Sequence, residues 1–77
     1  MDINLVDVTL HIAEDLNAEQ RETIEESLRA LKGVVSVHNP KETPHLTIVE
    51  YDPDESSSNK ILQRVKDQGA HAEIVGL

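Results

Sequence analysis

The chain has no cysteine. Disulfides, thiolate nucleophiles and thiolate metal sites are excluded together. It has no Trp and no Phe, and its one Tyr is Tyr51. Any core must therefore be aliphatic, built from Val, Ile, Leu and Ala. No apolar run is long enough to span a bilayer. Positive charge is scarce: seven Lys and Arg face fifteen Asp and Glu, for a net charge of -8. Nucleic acid and anionic membrane both need cations to displace their counterions, so neither is expected as a partner. A basic partner, or a cation, suits this chain better. The opening "MDINLVDVTLHI" has no basic leader and alternates apolar with polar residues. It does not read as a signal peptide, and a cytoplasmic location is the default expectation.

A length of 77 residues fits one domain, 1–77, with one modest core. A deep catalytic cleft of the usual size does not fit in it. No Ser/His/Asp set, Gly-rich phosphate loop or paired carboxylates occurs in a pattern that implies catalysis, so no enzyme activity is expected.

Residues 4–12 alternate: Val6, Val8, Leu10 and Ile12 share one face, and Asp7, Thr9 and His11 the other. That is a half-buried strand. From Ala18 to Leu31 the period turns helical, with Ile24, Leu28 and Leu31 in an i, i+4, i+7 stripe and acids on the outer faces. Gly33 stands past the last apolar position, where a left-handed C-cap is expected. "VVSVH" (34–38) is a second strand, "NPKETP" a turn, and "HLTIVEY" (45–51) a third strand rich in β-branched residues. "DPDESSSN" ends it and offers serines to cap a second helix over 57–68, with Ile61, Leu62 and Val65 inward. Gly69 closes that helix, and "HAEIV" (71–75) is the fourth strand.

The order is βαββαβ, the split βαβ or ferredoxin-like arrangement of the α+β class. Right-handed crossovers give a four-stranded antiparallel sheet of order 4-1-3-2 with both helices on one face.

Several segments together resemble the heavy-metal-associated domains of copper chaperones and metal-transporting ATPases. "IEESLRALKGVVSV" (24–37) is similar to that family's helix-to-strand segment, on Ile24, Glu25, Leu28, Leu31, Gly33, Val34 and Val37. "TIVEYDP" (47–53) resembles its third strand, and "ILQRVKDQGAHAEIV" (61–75) its second helix, glycine and last strand. The resemblance spans nearly the whole chain without gaps from Asn17 onward. It departs at the loop where the family carries Gly-Met-x-Cys-x-x-Cys. Counting back from Ile24 puts the two cysteine positions at Asn17 and Gln20, and the glycine and methionine at Glu14 and Asp15. Soft thiolates are what select Cu(I), and amide oxygens do not replace them. The chemistry that the resemblance implies is therefore not carried over, and no resident cofactor is expected.

Asn17 and Gln20 have capping-box spacing, which predicts a helix start held by side-chain amides. The inferred topology also brings four histidines to that end of the sheet: His11 and His38 end strands, while His45 and His71 begin them. Neighbouring strands lie about 4.8 Å apart. Alternation sets His11 and His71 on the open face and gives His45 the opposite parity. His11 and His71, with Glu14 or Asp15, are thus the candidate ligands for a weakly bound divalent metal: Zn²⁺, Ni²⁺ or Cu²⁺. If Thr47, Val49 and Tyr51 point inward, Leu46 and Ile48 face the uncovered side with Val35 and Val75. Such a strip is a candidate surface for a protein partner or a homodimer.

Three functions follow from these readings. The first is a non-catalytic binding module, heavy-metal-associated-like but without the thiolate site, that works by protein contact through the acidic first helix or the open sheet face. The second is a metal-binding domain using the His and carboxylate set. The third is a small regulatory domain that takes a cationic or polar ligand at a subunit interface.

Overall fold

The computed structural model describes residues 4–75. Its elements run β1 (Val6–Ile12), α1 (Ala18–Arg29), β2 (Val34–His38), β3 (Leu46–Tyr51), α2 (Ser58–Lys66) and β4 (Ala72–Ile74). All pairings are antiparallel and the strand order is β2-β3-β1-β4, the expected 4-1-3-2 read in reverse. The ferredoxin-like fold read from the sequence is the fold of the molecule.

The core follows the two periods of the sequence. In β1, Val8, Leu10 and Ile12 are buried; in β3, Thr47, Val49 and Tyr51 are. Ile24 and Leu28 of α1 and Ile61 and Val65 of α2 cover them. Leu10, Leu28, Val49, Ile61 and Val65 are fully buried. Each such aliphatic side chain contributes about 1.5–3 kcal/mol by leaving water. Val6 keeps the inward parity but lies beyond the helices, and it is 40% exposed.

Several details differ from expectation, all at element ends: β3 starts at Leu46 rather than at His45, and β4 is Ala72–Ile74 rather than 71–75. The first helix stops at Arg29 with Ala30 as a right-handed C-cap, short of Leu31. Leu31 still packs against the core, because a tighter turn, Leu31 N–H to Leu28 carbonyl, carries it there. Gly33 is left-handed (φ 93°), but it serves the entry to β2 rather than the helix cap. A Cβ at Gly33 would stand 2.8 Å from Glu55 Cβ and 3.1 Å from Ser56 Cβ. The turn therefore seats the α1–β2 connection against the β3–α2 loop, and Asp52 N–H donates to the Gly33 carbonyl at 2.8 Å. The second helix is likewise shorter than its apolar pattern. Ser57 caps it by accepting from Lys60 N–H at 3.2 Å, and Gly69 (φ 89°) turns the chain toward β4.

Candidate functional site at the loop end of the sheet

The β1–α1 loop is held from both sides. On its helix side, Asn17 Oδ1 accepts from Gln20 N–H at 2.8 Å, and Gln20 Oε1 accepts from Asn17 N–H at 2.9 Å. Both amide oxygens are thereby spent on two of the amides that a helix start leaves unpaired. Glu19 adds negative charge to the positive end of the helix.

On its sheet side, the loop is tied to β4. Ala13 N–H donates to the His71 carbonyl at 2.9 Å. The His71 N–H donates to both oxygens of Glu14, at 2.9 and 3.0 Å, and His71 Nδ1 lies against Oε2 of the same carboxylate. The His71 side chain, then its backbone amide, holds the Glu14 carboxyl below the usual carboxylate range.

His45 occupies the other flank. It precedes β3, and its backbone carbonyl accepts from Ile12 N–H at 2.8 Å. Its ring bends back, with Nδ1 2.7 Å from the Ile12 carbonyl oxygen and Nε2 3.1 Å from Asp15 Oδ1. The His11 ring stacks on it with centroids 5.7 Å apart and planes inclined by 26°.

The four candidate ligands thus share one end of the sheet but divide into separate groups. Glu14 goes to His71, Asp15 goes to His45, and His11 leans on His45 rather than on His71. Among the described residues no three His, Asp or Glu side chains converge on one point that would hold a metal ion. Sequence reasoning set His45 aside on strand parity. Parity does not govern a residue one step before its strand, and the hydrogen bond to Ile12 re-aims the ring. The usable signal was register: with His11 opposite Leu46, His45 must face Ile12.

On the open face, Leu46 and Ile48 are half-buried. Leu46 lies across from His11, which lies across from Glu73; Ile48 lies between His38 and Thr9; Glu50 lies between Ser36 and Asp7. Val35 is 56% exposed and is the extra residue of a register shift between Val34 and Ser36. The expected strip is therefore two half-buried aliphatics of β3 flanked by His11, His38 and Thr9, with the carboxylates of Asp7, Glu50 and Glu73 farther out on the same face.

No sequence-family model and no protein of curated function matches the chain. Solved structures do. The yeast copper transporter domain CCC2A, studied in apo and Cu(I)-loaded states, is 30% identical, with 91% of this chain and 94% of that one aligned at a TM-score of 0.81. The chain belongs to the heavy-metal-associated domain family. Two further structures share the fold. Oxidized MerP from Ralstonia metallidurans CH34 is 20% identical over 95% of this chain and all of that one, at a TM-score of 0.83. The Cu(I)-loaded N-terminal domain of a potential copper-translocating P-type ATPase from Bacillus subtilis is 22% identical over 95% and 90%, at 0.84.

This heavy-metal-associated domain does not fit the soft metal that its family implies. Asn17 and Gln20, where the sequence resemblance puts the thiolates, carry hard amide oxygens, and both oxygens already accept backbone hydrogen bonds. No helix among the described residues is long and apolar enough to cross a membrane.

Proposed function

We propose that this single domain is a non-catalytic binding module that works by protein contact and not by thiolate metal transfer. The observation that carries the reading is the closed capping box. Asn17 and Gln20 satisfy one another's backbone, so the loop needs no metal to be ordered. The contact surface is the open face of the sheet, where Leu46, Ile48 and Val35 stand with the carboxylates of Asp7, Glu50 and Glu73 farther out. A net charge of -8 selects a partner that presents apolar side chains inside a basic rim. The same charge argues against nucleic acid and anionic membrane.

The test places a photo-crosslinking residue at Ile48, in extract of the source cells. One discrete protein adduct is expected, and Glu50→Lys in the same chain should suppress it. Absence of any adduct overturns the reading. So does Cu⁺, added under reducing conditions, shifting the amide signals of residues 17–20 in the unmodified protein. The complementary gain is equally concrete: Asn17→Cys with Gln20→Cys should bind Cu⁺ on this scaffold at one ion per chain.

A further inference from the structure

His45 is the side chain in this end of the molecule whose chemistry the protein-contact reading leaves unused. Its Nδ1 lies 2.7 Å from the Ile12 carbonyl oxygen. A carbonyl oxygen only accepts, so Nδ1 must carry the proton of that bond. In the neutral ring Nε2 is then a bare lone pair, and it faces the Asp15 carboxylate at 3.1 Å. Two acceptors at that separation call for a positive species on or between them.

The distance is informative. A tetrahedral Zn²⁺ takes imidazole nitrogen at about 2.0–2.1 Å and carboxylate oxygen at about 2.0–2.2 Å, which sets two ligands of one ion about 3.3–3.5 Å apart. At 3.1 Å the pair stands a few tenths of an ångström inside that separation, a gap that the exposed Asp15 side chain closes by a small rotation. The rest of the arrangement is what such a ligand requires. A ligating histidine usually donates its other ring N–H to a backbone carbonyl or carboxylate, which fixes the tautomer and the aim of the ring. Here the Ile12 carbonyl does this, and the His11 ring, stacked at 5.7 Å, holds the plane. The Asp15 side chain is 97% exposed, so it closes on an ion without disturbing the core. Glu14 and His71 take no part, because each is committed to the other.

We propose that His45 Nε2 and Asp15 Oδ1 form a site for one borderline divalent cation of the Zn²⁺ type, with water filling the remaining positions. Its donors are imidazole and carboxylate, its place is the opposite flank of the loop from the helix cap, and it does not depend on the protein-contact reading.

The test is a Zn²⁺ titration of the intact chain near neutral pH, read by long-range ¹H–¹⁵N spectra of the imidazole rings. His45 Nε2 should move to the metal-bound position and saturate at one ion per chain, while its Nδ1 stays protonated and the His71 nitrogens stay in place. His45→Gln should abolish the saturable shift. Asp15→Asn alters an exposed side chain that the fold does not need, and it should weaken binding by about tenfold. His71→Gln should leave it unchanged. Three results overturn the proposal: no saturable shift at His45, a shift confined to His11 or His71, or wild-type Zn²⁺ affinity in Asp15→Asn.

Discussion

Ser56 shows how one polar atom can work against its surroundings. The residue is 6% exposed, and its Oγ is buried with no hydrogen-bond partner among the described residues. It lies beneath Gly33, whose missing side chain makes room for it. A buried hydroxyl without a partner has lost water and gained nothing. Ser56→Ala should therefore leave stability unchanged or raise it by up to about 1 kcal/mol. The urea midpoint measures it, and a clear loss would mean that the hydroxyl finds a partner in solution. His45 carries a related lesson about legibility. Its place at the loop end could be read from the topology. The direction of its ring could not, because that is set by the Ile12 carbonyl 33 residues earlier, a contact that no local pattern encodes.

At the scale of elements, periodicity did most of the work. Strand period 2 assigned the buried faces of β1 and β3, and the 3.6 period put Ile24, Leu28, Ile61 and Val65 inward. Ends were less legible. Leu31 fits the apolar stripe, yet it sits in the tighter turn after Arg29, since packing against the core does not require helical hydrogen bonding. The capping box was legible because it is local: four residues contain both bonds. Removing its first member in Asn17→Ala should cost about 1 kcal/mol. Gln20→Ala added to it should cost little more, because the two bonds hold one turn together; thermal unfolding of the two single variants and the double variant tests this. The tie between the β1–α1 loop and β4 carries a pH dependence. The Glu14 carboxyl is held below the usual carboxylate range by His71, so the native state favours its ionised form. Its contribution is fully present above the ordinary carboxylate pKa and is lost as pH falls through the lowered native value. In chelator, the protection of the His71 amide, its exchange rate relative to the intrinsic rate at the same pH, should fall on acidification through that window. In Glu14→Gln that protection should be lower and show no such fall.

For the whole molecule, the core is small enough that single residues matter. Leu28 is fully buried where α1 meets the rest of the core, and Leu28→Ala should cost about 2–5 kcal/mol. Against the roughly 5–15 kcal/mol that holds typical domains together, that is a large share, visible as a fall in the denaturant midpoint at unchanged slope. The molecule is also divided lengthwise. Of its exposed large aliphatics among the described residues, Leu5, Val6 and Val35 fall at one end of the sheet, while Ile74 and Val75 lie beside the middle of β1. The histidines fall at the other. This polarity was implicit in the sequence, since β1 and β2 both begin with valine and carry a histidine at or next to their last residue.

The register shift at Val35 has a consequence for the company this protein keeps. An open sheet has two outer strands, and an outer strand is an invitation to any other chain in an extended conformation. On one border the invitation is short, because β4 has three residues. On the other, β2 has five, but the inserted Val35 breaks the even spacing of its free amides and carbonyls and bends the strand out of line. A second sheet cannot zip along it. The borders thus discourage the indiscriminate stacking that leads to fibres, even though the uncovered face carries aliphatics.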